Sequence, residues 1–134
     1  TLKFCRRHGF KVRFGSATKI PYRAGTFDGL HCSHVIEHLH PDQVYKFFHE
    51  ASRVLKRQGI LIISSPLLWE GFYNNLTHIK PYPPAAIIRY LVETAPDTTF
   101  PRLKHQYQQL ALYWRHHLSS GEKTGYTLVL KKLT

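Results

Sequence analysis

FDGLHCSHVIEHLHPD, residues 27–42, reads as three pieces in succession. Gly29 to Ser33 is a short, largely apolar run of strand length. His34 to His40 carries polar and ionisable side chains and reads as a loop. Pro41 then suits the first position of a helix, where its missing N–H costs nothing, and Asp42 sits where the positive end of the helix dipole favours a carboxylate. The helix predicted over residues 41–57 follows from Val44, Phe47, Phe48, Ala51, Val54 and Leu55, which recur every three or four residues, with Lys46, Glu50, Arg53 and Arg57 off that stripe. Gly59 is its expected stop. Ile60 to Ile63 is apolar without alternation, the pattern of a parallel strand covered on both faces, and Pro66 ends it. Strand, helix and strand within about 35 residues make a right-handed βαβ unit.

Working outward, residues 2–8 read as the end of an amphipathic helix closed by Gly9. Phe10, Val12 and Phe14 alternate with Lys11 and Arg13, which predicts a strand. Residues 16–26 are loop. Residues 67–83, LLWEGFYNNLTHIKPYP, form an aromatic loop, and Pro84 opens a second helix with Ile87, Ile88, Leu91 and Val92 on one side. Residues 94–101 read as loop, and 102–109 are ambiguous. Leu110, Leu112 and Trp114 alternate with Tyr113 and Arg115, and Tyr126, Leu128 and Leu130 recur at every second position likewise, which predicts a closing antiparallel hairpin. A chain of 134 residues with 43% apolar content suits one domain with a modest core. It divides at residue 83 into the βαβ-bearing part and a C-terminal helix and hairpin.

The order of these elements, with FD at 27–28, EH at 37–38 and RVLKRQG at 53–59, resembles the class I S-adenosylmethionine-dependent methyltransferases of the "type 11" kind. The resemblance covers about residues 8–66. It implies an α/β fold: a partial Rossmann-like methyltransferase sheet, built of the βαβ unit plus the C-terminal antiparallel hairpin, without the first strands. The family's strand order is 3-2-1-4-5-7-6. Phe10–Phe14 stands at strand 3 and Gly29–Ser33 at strand 4. No G-x-G-x-x-G stands in the chain to serve as the glycine loop, which in the family holds the methionine end of the cofactor. The chain starts at Thr1 and has no methionine, so an N-terminal segment is expected to be missing and cofactor binding by this chain alone to be weak. An unpaired side of the Gly29–Ser33 strand is then expected to pair with Phe10–Phe14 or to drive self-association.

The same resemblance implies a cofactor, S-adenosylmethionine, and its contacts. Ser16, Ala17 and Thr18 stand near the family's Gly-Asp-Ala step beside the adenine, with serine in place of the carboxylate. Ser33, His34 and Val35 stand at the carboxyl end of the central strand, where α/β sheets bind ligands. Glu37 and His38 border the substrate side, and Trp69, Tyr73 and His78 are expected to complete a substrate pocket for a small-molecule methyl acceptor. His38 is the candidate general base, since imidazole titrates near neutrality.

Two other functions stand beside this one. His34-Val35-Ile36-Glu37-His38 is literally H-x-x-E-H, a zinc-hydrolase signature that requires both histidines on one continuous helix. The strand before it and Pro41 after it break such a helix, so no zinc is expected on His34, Glu37 and His38. The formal charge of +11 suits a basic nucleic-acid-binding or RNA-modifying module, but the basic residues are scattered and no nucleic-acid motif accompanies them. No apolar run reaches membrane-spanning length. Two cysteines without a signal peptide imply a reducing compartment, the cytoplasm.

Overall fold

A computed structural model describes residues 1–93 and 102–134. The loop expected at 94–101 lies outside the described residues. Helix α1 spans Leu2–Arg7. Gly9 closes it at φ 78°, with Gly9 N–H donating to Arg6 O and Phe10 N–H to Cys5 O, both at 3.1 Å. That double bond is the Schellman motif, which needs a left-handed residue where glycine sits.

Strand β1 (Phe27–Ser33) leads to a 3₁₀ turn at Ile36–His38 and then to helix α2 (Pro41–Val54). Strand β2 (Leu55–Pro66) follows at once and pairs in parallel with β1, from Gly29 beside Ile60 to Ser33 beside Ser64. Helix α3 (Pro84–Leu91) and strands β3 (Tyr107–His116) and β4 (Lys123–Lys132) complete the described elements. The sheet order is β1-β2-β4-β3, with β4 antiparallel to both its neighbours. The last strand thus inserts between β2 and β3, as expected for the C-terminal hairpin of the resembled fold.

The core lies between the sheet and α2. Val44, Phe47, Phe48 and Ala51 of α2 are buried against Leu61 and Ile63 of β2 and Leu128 and Leu130 of β4. Burying each of the two phenylalanines contributes about 1.5–3 kcal/mol. Ile87, Tyr90 and Leu91 of α3 join the same core.

The structure departs from the sequence reading in two places. Residues 10–14 form no strand, and Phe10 and Phe14 are 65% and 86% exposed. An alternating run is only a strand when a neighbour pairs with its backbone, and among the described residues β1 pairs with β2 alone. Helix α2 also ends at Val54, well before Gly59. Its last carbonyls find tertiary donors: Gly25 N–H on Arg53 O at 2.9 Å and Thr26 N–H on Val54 O at 2.8 Å. The buried Lys132 ammonium adds bonds to Ser52 O at 2.6 Å and Leu55 O at 2.9 Å. With those carbonyls satisfied, Leu55 enters the core as the first residue of β2.

Candidate active site

At the carboxyl end of β1 the backbone turns sharply. His34 takes φ 53°, a left-handed conformation uncommon outside glycine, while its N–H donates to Ser64 O at 2.8 Å. Val35 and the 3₁₀ turn follow, and Leu39 is extended again before α2 starts. The H-x-x-E-H run is therefore strand end, turn and loop, and its two histidines share no helix. This removes the zinc-hydrolase geometry.

A cleft of about 450 Å³ opens at this end of the sheet, lined by His34, Pro66, Trp69, Phe72, His78 and Arg115 among others. Of the expected pocket residues Trp69 and His78 line it, joined by His34 from the expected cofactor contacts, while Glu37 and His38 are not among its lining residues. Tyr73 does not line it: it is 55% exposed and stands edge-on to the buried Phe72. Ser33 is exposed at the tip of β1 and Val35 is half-buried. Ser16 lines a different cleft, with Arg13, Tyr22 and Arg53. Its Oγ accepts Thr18 N–H at 3.2 Å and contacts Thr18 Oγ1 at 3.0 Å, so Ser16–Thr18 is a closed serine turn. Ala17 packs against the core.

Glu37 is fully buried beneath the cleft. Its Oε2 accepts the Ser65 hydroxyl at 3.1 Å. Its backbone carbonyl takes two N–H groups from the aromatic loop, Ile79 at 2.8 Å and Lys80 at 3.3 Å. Those two bonds bring His78 alongside His38, with ring centroids 4.8 Å apart. His78 Nδ1 donates to Phe72 O at 2.6 Å. His38 Nδ1 lies 3.0 Å from both Thr77 O and Thr77 Oγ1, and the Thr77 hydroxyl itself donates to Asn75 Oδ1 at 2.8 Å. Each Nδ1 is thus the donor, and each Nε2 keeps a free lone pair.

Arg115 escaped the sequence reading. In β3 it looks like an outward polar residue, but its guanidinium crosses β4 at Gly125 and donates to His34 Nε2 at 2.8 Å and Ser65 O at 3.2 Å. A Cβ on Gly125 would come within 2.4 Å of Arg115 Nη2, so the guanidinium can lie across the strand here because residue 125 has no side chain. A glycine inside a strand pattern signals such a close approach. Arg53, placed off the apolar stripe, is also structural: it binds Glu50, Ile20 O and Tyr22 O and ties the 20–22 loop to α2. Cys32, buried in β1, has its thiol pushed up to about 12 by burial, with the Glu37 charge adding to it.

Residues 1–63 match the family model for a methyltransferase domain. No curated protein matches the chain. Among solved structures, an S-adenosylmethionine-dependent methyltransferase from Archaeoglobus fulgidus is similar at 20% identity and TM-score 0.65, over 98% of this chain and 71% of that one. One from Methanosarcina mazei is similar at 10% identity and TM-score 0.62, over 90% and 66%. The Burkholderia thailandensis 1,6-didemethyltoxoflavin-N1-methyltransferase, solved with 1,6-didemethyltoxoflavin and S-adenosylhomocysteine bound, is similar at 14% identity and TM-score 0.64, over 99% and 56%. The described fold is that of S-adenosylmethionine-dependent methyltransferases, and residues 1–63 carry the sequence pattern of their methyltransferase domain.

Proposed function

We propose that the chain takes part in methyl transfer from S-adenosylmethionine to a small-molecule acceptor, and that the cleft at the carboxyl ends of β1 and β2 receives that acceptor. The observation that carries this reading is the meeting of His34, Trp69 and His78 there, at the sheet edge where α/β folds bind ligands. The Burkholderia relative, a methyltransferase with its substrate and S-adenosylhomocysteine bound, supports the same ligand classes.

S-adenosylmethionine, when bound, would supply the activated methyl group to an acceptor lone pair, leaving S-adenosylhomocysteine. The chain's own residues contribute placement, which is most of what such a displacement needs. Ser33, exposed at the tip of β1, and the turn at His34 and Val35 present the strand end to the cofactor. Among the described residues the Ser33 hydroxyl has no hydrogen bond, so it is available to a ligand. The closed Ser16–Thr18 turn fits a supporting role beside the adenine through its shape, with no carboxylate to offer. Trp69 and His78 wall the acceptor side, with Glu37 holding His78 in place through its carbonyl. His38, with its free Nε2, is the proposed proton acceptor, and Tyr73 contributes only as cover over Phe72.

Nothing favours the nucleic-acid alternative. Several basic side chains are engaged by the fold's own groups: the buried Lys132 by carbonyls at the end of α2, Arg53 by the 20–22 loop, Arg115 by His34. Among the described residues no helix is long and apolar enough to cross a membrane. The cytoplasmic placement rests on Cys5 and Cys32 being free thiols. Photolabelling with methyl-labelled S-adenosylmethionine tests the reading. Label on peptides containing residues 16–18 or 33–35, competed by S-adenosylhomocysteine, is expected; label confined elsewhere or uncompeted overturns it.

A further inference from the structure

Glu37, His38 and His78, given separate roles in the methyl-transfer reading above, also lie close enough together to share one ligand. One ligand-capable atom from each lies within 4.8 Å of the others. Glu37 Oε1 is buried without a hydrogen-bond partner. His34 Nδ1, which carries that ring's proton because Arg115 donates to Nε2, comes within 3.2 Å of it but outside hydrogen-bonding geometry. A buried carboxylate oxygen with no well-formed hydrogen bond is costly, and a cation would stabilise it. Both imidazoles are fixed through Nδ1. His78 Nδ1 is held by Phe72 O and His38 Nδ1 by Thr77, which leaves both Nε2 lone pairs free. Metal-binding histidines are characteristically fixed this way, by a hydrogen bond from the ring nitrogen that does not ligate.

We propose that Glu37, His38 and His78 bind a divalent first-row transition-metal ion such as zinc, with its open coordination positions toward the cleft that His78 lines. Two imidazoles and a carboxylate are the donor set such ions favour over magnesium or calcium. Metal–ligand bonds of about 2.0–2.2 Å draw ligand atoms closer than 4.8 Å, so the rings turn inward by about an ångström on binding. This ligand set is not the H-x-x-E-H motif. His34 is replaced by His78, which the Glu37 carbonyl brings in from the far loop. With the ion bound, His38 serves as a ligand and not as a proton acceptor. The open positions then suit an acceptor that offers a hydroxyl or another lone-pair oxygen, whose pKa the ion lowers. The site stands on geometry that is independent of whether the chain binds S-adenosylmethionine.

The test uses the 134-residue chain, stripped with chelator and titrated with cobalt(II) as a spectroscopic probe and with zinc by calorimetry. One ion per chain is expected, with cobalt giving the intense visible bands of a four- or five-coordinate site. Glu37→Gln and His78→Ala, each shown to be folded by circular dichroism, are expected to weaken binding about 100-fold or more, since even indirect partners of a metal site matter about tenfold or more. His34→Ala is expected to keep one ion per chain. Wild-type chain that takes up no stoichiometric ion overturns the proposal, and that outcome needs no variant. So does unchanged affinity in folded His78→Ala, or loss of the ion in His34→Ala with retention in His78→Ala.

Discussion

Cys32 gives the fold a measurable sensitivity to alkali. Its thiol is buried and pushed from an ordinary 9.0 up to about 12 by burial and by the Glu37 charge. In the unfolded chain the thiol ionises near 9, while in the folded chain it stays protonated. Above about pH 9 the folded state therefore binds more protons than the unfolded state, and stability falls as pH rises. The contribution is intact below about pH 8 and about 2 kcal/mol of it is lost by about pH 10.5. That loss depends little on the folded value, provided it stays above the working pH. The burial-raised tyrosines Tyr82 and Tyr90, both at about 12, add to it above about pH 10, where an unfolded tyrosine ionises. Comparison with Cys32→Ala isolates the thiol: the variant has a small constant deficit at neutral pH from the lost side chain, and that deficit shrinks by about 2 kcal/mol as pH rises from about 8 to about 10.5. Urea unfolding at several pH values, with reductant present, measures both chains. Parallel stability curves for wild type and variant would mean that the thiol ionises as readily in the folded protein as in the unfolded one, and the burial argument would fail.

Three further outcomes follow from the contacts. Lys132→Met removes the ammonium from Ser52 O and Leu55 O and is expected to destabilise by about 2–4 kcal/mol in urea unfolding, the cost of leaving two buried carbonyls without a donor; a loss under about 0.5 kcal/mol would show that water replaces it. Gly125→Ala places a Cβ where the Arg115 guanidinium lies and is expected to detach Arg115 from His34, seen as a shifted His34 ring resonance in NMR, while an unchanged resonance refutes the contact. The free side of β1 is expected to pair between copies, so sedimentation at micromolar concentration should show reversible association; a monomer at all concentrations refutes it.

The βαβ unit was legible because its signals are local. Pro41, the apolar spacing of α2 and the unbroken run at 60–63 each act on a few neighbouring residues, and so does the alternation at Tyr126, Leu128 and Leu130, all three of which are fully buried. What failed were signals that need a partner to have meaning. Phe10, Val12 and Phe14 alternate like a strand, yet among the described residues no strand pairs with them. Helix α2 stops where Gly25, Thr26 and Lys132 reach its carbonyls, donors at least 28 residues away in sequence. The site divides along the same line. His34, Trp69 and His78 line one cleft, whereas Ser16 lines another one and Tyr73 is largely exposed. Arg115 and the meeting of His78 with Glu37 and His38 arise from the hairpin register and from two long-range backbone bonds, which no short motif encodes.

The central claim is that Ser33–Val35 and Ser16–Thr18 face S-adenosylmethionine. Titration of the isotope-labelled chain with S-adenosylhomocysteine to millimolar concentration, followed by backbone amide NMR, tests it most directly, because that method detects weak binding residue by residue. Saturable shifts concentrated at residues 33–35, with smaller ones at 16–18, are expected. Amides at both segments that stay unmoved throughout the titration would contradict the account.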